Sequence, residues 1–254
     1  MTHQEYPKIA AGVAFQDRLA ACDPSIFSVE NQLFEGDRRS LLRIQNVVRQ
    51  NLSSYVYLEV GSHLGGSLVP HLLDARCRHI YSIDKRPPAQ PDERGVAFTY
   101  DNNSTQRMLD ILARNVPALS LSKLETRDVD CANLTAQDIV ARPDIVLIDA
   151  EHTNVAVVSD FLNVFKFCKE DTIFCFHDAN LIPDGLRNIE SILKYLGVPH
   201  QAFVLPDVIF AICAGRFAEI CEKELKQYAF EKNRYFEEAK KSLITQLRAI
   251  TTAV

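Results

Sequence analysis

Apolar runs of strand length recur along the chain at 55–60, 79–83, 144–148 and 172–176, with a weaker one at 121–126. They are continuous rather than alternating, as strands buried on both faces require. Between and before them, apolar positions recur at helical spacing and predict helices over 38–51, 66–75, 104–115, 155–168 and 185–196, the last stopped by Gly197 and Pro199. Strand and helix in alternation predict a parallel sheet covered on both faces. Two further runs, 201–205 and 208–213, are separated only by Pro206 and Asp207. That gap is too short for a helical crossover, so they predict an antiparallel hairpin that closes a seven-stranded sheet at its edge.

Beyond Arg216 charges dominate, and Cys221, Leu225, Tyr228, Phe236, Ala239, Leu243 and Leu247 recur at helical spacing. The stripe predicts one long amphipathic helix, or two, docked on its own domain or pairing two copies into a homodimer, with a membrane-surface helix as a third reading. The expected organisation is an N-terminal helical cap or substrate region (1–50), a sheet domain (51–214) and a C-terminal helical extension (215–254). Neither an internal repeat nor a low-complexity linker interrupts this order.

With 254 residues, 47% of them apolar, the chain can bury a sizeable core. A net charge of −5 supplies no general attraction to phosphate backbones, so no nucleic-acid partner is expected. No stretch approaches the roughly 20 apolar residues of a transmembrane helix, and the start MTHQEYPK lacks the basic-then-apolar order of a secretory signal. A cytoplasmic location is expected. The seven cysteines are odd in number, form no CxxC pair and often sit in apolar runs, so they predict reduced, buried side chains.

The segment Leu58-Glu59-Val60-Gly61-Ser62-His63-Leu64-Gly65-Gly66-Ser67 leaves a strand, turns and enters a helix, which is where a doubly wound sheet binds a cofactor. Gly61 can take backbone angles closed to other residues, and Gly65 and Gly66 remove side chains where ligand and helix must come close. Asp84, ending the next strand, can accept both ribose hydroxyl protons. A dinucleotide enzyme would use the same carboxylate but requires G-x-G-x-x-G, whereas this loop reads G-x-x-x-G-G, so an NAD enzyme is a minor alternative.

This segment resembles the first motif of class I S-adenosylmethionine-dependent methyltransferases, E/D-x-G-x-x-x-G, and the resemblance spans about residues 50–213. It implies an α/β, Rossmann-like seven-stranded sheet with an antiparallel C-terminal hairpin, and S-adenosylmethionine as cofactor. By position it places Glu59 near the methionine end, Asp84 on the ribose and Asp128 at the adenine. Gly61, Ser62, His63, Gly65 and Ser67 form the loop, and Asp149 lies beside the cofactor.

Two more strands end in polar clusters, Asp149-Ala150-Glu151-His152 and His177-Asp178-Ala179-Asn180, on the edge that carries Gly61 and Asp84. So many oxygen and imidazole groups at one point are costly to desolvate unless satisfied. The arrangement is similar to the metal-dependent sugar O-methyltransferases of macrolide biosynthesis. That resemblance implies Asp149, His177 and Asp178 as ligands of a divalent ion and His152 as the base that deprotonates a hydroxyl of a sugar or other small molecule. His177 stands where the macrolide enzymes carry a carboxylate, which leaves magnesium, manganese, iron and a metal-free site as alternatives.

Structural readings stand beside these: Asp178 as a helix cap, His177 and His152 as packed side chains, Glu59 as a strand-end acid satisfied by backbone N–H groups. His63 is expected to flank the cofactor, His71, His79 and His200 to be structural, and His3 to lie in a disordered start. Neither G-x-S-x-G nor a phosphate loop is present. Rival functions are a non-catalytic cofactor-binding scaffold and a small-molecule enzyme of the same fold with different chemistry.

Overall fold

The computed structural model describes residues 13–252, so the expectation for His3 lies outside the described residues. The chain opens with helices α1 (Val13–Ala20) and α2 (Glu35–Asn51), followed by strand β1 (Tyr55–Val60), the short α3 (Val69–Leu73) and β2 (Cys77–Ile83). A small hairpin, β3 (Ala89–Pro91) and β4 (Ala97–Thr99), precedes α4 (Thr105–Asn115), α5 (Ala118–Leu121) and β5 (Leu124–Arg127). Then come β6 (Ile145–Ile148), α6 (Asn154–Phe165), β7 (Ile173–Phe176), α7 (Pro183–Tyr195), β8 (His200–Val204) and β9 (Phe210–Ala214). Two helices, α8 (Phe217–Leu225) and α9 (Lys232–Thr252), complete the described chain.

Seven strands form one sheet in the order β5-β2-β1-β6-β7-β9-β8. From β5 to β7 all pairings are parallel, and β9 is antiparallel to both β7 and β8. The hairpin thus closes the sheet with an antiparallel edge, as expected. Its second strand enters between β7 and the outer β8. Every residue of β9 is buried, while β8 begins with the half-buried His200, the exposed Gln201 and the half-buried Ala202, so the more apolar strand takes the position covered on both sides.

The continuous apolar runs serve two cores at once, because successive strand residues point to opposite faces. Tyr55 and Tyr57 of β1 join Leu42, Leu72, Leu112 and Phe217 from the face covered by α2, α3, α4 and α8. Val56, Leu58 and Val60 join Phe161, Leu186, Ile189 and Phe236 from the face covered by α6, α7 and α9.

The helix expected over 66–75 is confined to Val69–Leu73, because the chain leaves β1 through tight turns around Gly65 and Gly66 before it can wind up. The strand expected over 121–126 starts later, at Leu124, with Leu121 closing α5. Of the two readings of the C-terminal stripe, two helices are observed, broken by a short 3-10 turn at Lys226–Tyr228. Phe236, Ala239 and Leu243 of α9 are buried on this chain's own domain, and Lys232–Glu190, Lys240–Asp184 (both 2.5 Å) and Arg187–Glu237 (2.9 Å) tie α9 to α7. No helix among the described residues is long and apolar enough to cross a membrane. All seven cysteines are free, and six of them are buried.

Candidate active site

The sheet reverses its winding between β1 and β6, so the loops leaving these strands diverge and open a cleft at their carboxyl ends. Gly61 sits at the reversal with φ of 92°. A Cβ there would lie 2.0 Å from the Asp149 carbonyl oxygen, so the loops after β1 and β6 approach as closely as they do only because the residue is glycine. The left-handed Gly65 instead packs on Met108 and Leu112 of α4.

Asp84 ends β2 beside this loop. Its Oδ2 accepts the His63 N–H (2.9 Å) and its Oδ1 the Arg86 N–H (2.7 Å), which fixes the carboxylate at the mouth of the cleft. Gly61, Ser62, His63, Ser67, Asp84 and Asp149 line one cavity, roofed by residues 30–33 of the N-terminal segment and by Tyr100 and Asn103. A second cavity on the other side of Gly61 and Asp84 is lined by Lys85, Val129, Asp130, Ala150, Glu151 and Asp160.

Glu59 is buried and faces neither cavity. It accepts the Tyr57 hydroxyl (2.7 Å) and the Ser67 hydroxyl (2.5 Å), and burial pushes its pKa up to about 8, against the pull of those two hydrogen bonds. Its link to the cleft is through Ser67. Asp128 also lies apart: its side chain is 55% exposed, bonded to the Thr105 hydroxyl and 3.9 Å from Arg86, whereas Asp130 lines the second cavity.

The polar clusters after β6 and β7 meet as expected. One donor atom from each of Asp149, His152, His177 and Asp178 lies within 4.8 Å of every other. His152 Nε2 is 3.5 Å from Asp149 Oδ1 and 3.2 Å from Asp178 Oδ2, while His177 Nδ1 is 3.1 Å and 3.4 Å from the same two oxygens. Asp178, in the left-handed region at φ of 52°, turns its carboxylate to the histidines, and the cap of α7 is Ile182. Thr153 caps α6, so His152 is held immediately before a helix start. The Glu93 N–H donates to its carbonyl (3.1 Å), strapping the β3–β4 hairpin against the cluster.

Burial by itself lowers an imidazole pKa, but the facing carboxylates outweigh it: His152 is raised, and His177 is held well above the ordinary value. Asp149 shows the converse. Burial raises a carboxyl pKa, yet the two imidazoles hold Asp149 well below the usual range.

The fifth member of the cluster, Asp37 in the first turn of α2, was not singled out by sequence reasoning. Its Oδ2 faces His177 Nε2 at 3.3 Å. In the sequence it is one more acid at a helix start, and no local signal ties it to β7. The remaining histidines stand elsewhere, His71 stacked on Tyr57, His79 against Glu125 and His200 on the Val198 carbonyl. His63 lines the cleft, its pKa lowered by burial.

Glycine loop, strand-end carboxylate and sheet order together define a class I methyltransferase fold. Residues 58–179 match a family model described as a methyltransferase domain. A Staphylococcus aureus protein assigned as a caffeoyl-CoA O-methyltransferase is similar in structure, with 12% identity, 80% of this chain and 92% of that chain covered, and a TM-score of 0.50. MycE, a methyltransferase of mycinamycin biosynthesis solved with Mg, SAH and mycinamycin VI, matches at 14% identity over 83% of this chain and 56% of its own (TM-score 0.49). CalS11, a calicheamicin methyltransferase, matches at 12% over 84% and 97% (TM-score 0.49). No curated protein sequence matches the chain. Residues 58–179 thus match a methyltransferase domain, and they sit within a sheet of class I methyltransferase fold.

Proposed function

We propose that the protein methylates a hydroxyl oxygen of a sugar or other small molecule, assisted by a divalent ion held by Asp149, His177 and Asp178. The observation that carries this reading is the meeting of two carboxylates and two imidazoles beside the glycine loop, with Asp149 lining the cofactor-side cavity as well. The donor set fits an ion. Metal–oxygen and metal–nitrogen bonds of about 2.0–2.2 Å put neighbouring ligand atoms about 3–3.5 Å apart, and the distances from His177 Nδ1 to the two carboxylates are 3.1 and 3.4 Å. Ion-pair hydrogen bonds without an ion contract to about 2.7–2.9 Å.

A bound cation there would supply the positive charge that lowers the pKa of an acceptor hydroxyl. His152, whose Nε2 faces this cluster, would be the base that takes the acceptor's hydroxyl proton, and S-adenosylmethionine would supply the methyl group and leave as S-adenosylhomocysteine. Asp84 would hold the ribose, with Gly61, Ser62, His63 and Ser67 against the methionine half. The adenine would occupy the second cavity, with Asp130 in its lining as the acceptor for its amino group, and Glu59 and Gly65 would shape the loop from behind. Asn180, whose buried side-chain oxygen has no hydrogen-bond partner, would serve the acceptor side. The division into an N-terminal acceptor-side segment (1–50), a cofactor domain (51–214) and a C-terminal extension (215–254) belongs to this proposal. So does a cytoplasmic location. A homodimer through α9 would use the exposed Ile244.

The test is calorimetric titration of S-adenosylmethionine and S-adenosylhomocysteine, followed by methyl transfer to a panel of hydroxylated sugars and glycosides. Binding with transfer to oxygen supports the reading. Binding with no transfer to any hydroxyl across the panel and across divalent ions refutes O-methylation.

A further inference from the structure

We infer that the ion site is built for a divalent transition ion rather than magnesium, and that Asp37 is the positioning carboxylate that sets this preference through His177. The inference rests on the metal-assisted reading above and sharpens it.

Asp37 is fully buried and held from two directions. Its Oδ2 accepts the Phe34 N–H (2.8 Å) and its Oδ1 the Val208 N–H (2.9 Å), so the carboxylate cannot rotate away without leaving buried donors unpaired. Its Oδ2 also faces His177 Nε2 at 3.3 Å. A carboxylate can only accept, so Nε2 carries a proton, which leaves Nδ1, facing Asp149 and Asp178, as the ring nitrogen that would give its lone pair to an ion bound between them. Metal-bound histidines are oriented in this way, the distal N–H given to a carboxylate that fixes tautomer and ring plane.

The nitrogen donor decides the ion. Magnesium dehydrates reluctantly and prefers oxygen ligands, whereas imidazole binds ions from manganese through cobalt and zinc with rising strength. An oxygen at position 177 would suit magnesium; an imidazole locked with Nδ1 inward does not. Asp149 and Asp178 complete a three-ligand set that leaves positions open for an acceptor oxygen, with His152 beside them.

The experiment titrates magnesium, manganese and cobalt into the full chain by calorimetry with S-adenosylhomocysteine present, and records the visible absorption of the cobalt form. Cobalt is expected to bind at least about tenfold more tightly than magnesium, with a nitrogen-containing ligand field. His177→Gln, which places an oxygen donor inward and keeps an N–H for Asp37, should narrow that ratio about tenfold. Asp37→Asn should weaken cobalt binding by about 10–100-fold without altering S-adenosylhomocysteine affinity. Equal affinities for magnesium and cobalt in the unaltered protein, or a ratio unmoved by His177→Gln, would overturn the inference. S-adenosylhomocysteine binding measured without any ion keeps the two claims apart, since its absence defeats the cofactor reading itself.

Discussion

His177 Nε2 and Asp37 Oδ2 lie 3.3 Å apart, although the two residues are 140 positions apart in the chain. The contact ties the first turn of α2 to the carboxyl end of β7. Asp37 also satisfies the Phe34 and Val208 N–H groups, so its removal orphans donors in two segments and leaves His177 short of a partner. Asp37→Ala should cost about 3 kcal/mol of stability. Urea unfolding at pH 7 measures this, and a loss within about 0.5 kcal/mol, typical of a surface site, would contradict it.

His152 should matter to chemistry and little to cofactor binding. Its Nε2 faces Asp149 and Asp178 and lines neither cavity. His152→Ala is expected to lower kcat by about 100-fold or more with the S-adenosylhomocysteine Kd changed less than about threefold. Single-turnover kinetics with a confirmed acceptor separates the two, and an unchanged kcat would remove His152 from the mechanism.

Gly61→Ala should damage the cleft from the backbone outward. The residue is left-handed, and its new Cβ would meet the Asp149 carbonyl at 2.0 Å, so the loops after β1 and β6 must part. A loss of about 2 kcal/mol or more in stability is expected, together with at least about tenfold weaker S-adenosylhomocysteine binding. Thermal melting and calorimetry check the two effects, and wild-type behaviour in both would refute the close approach.

Asp160 supplies a pH test. Burial first, then the nearby Asp130 and Glu151, pushes its pKa up to about 7, against about 3.9 in an unfolded chain. The folded state therefore holds this proton more tightly, and the stability it contributes is present below pH 4 and lost as pH rises to 7. Asp160→Asn removes that loss, so its Tm advantage over the unaltered protein should grow from pH 5 to pH 8. A constant difference across that range would show that Asp160 titrates normally.

Much of this was legible in the chain. The runs 55–60, 144–148 and 172–176 announce strands buried on both faces, and the glycine loop with Asp84, Asp149, His177 and Asp178 follows from their ends, because strand ends in a parallel sheet share an edge. The β3–β4 hairpin was not legible, since its strands carry no alternating pattern and one ends in Pro91. Asp128 and Asp130 could not be told apart either: both follow β5, and only the path of the loop sends Asp130 to a cavity and Asp128 to Thr105.

By itself, then, the sequence determined most of the helices and the strands of the main sheet, the parallel pairing that their alternation requires and the residues at its carboxyl edge, all consequences of pattern over short stretches. Tertiary structure alone decided that β9 enters between β7 and β8, that α9 docks on its own domain, and that Asp37 stands behind His177. Those outcomes depend on which distant surfaces and unpaired polar groups can be satisfied together. Burial and hydrogen bonding settle that question only when the whole chain closes.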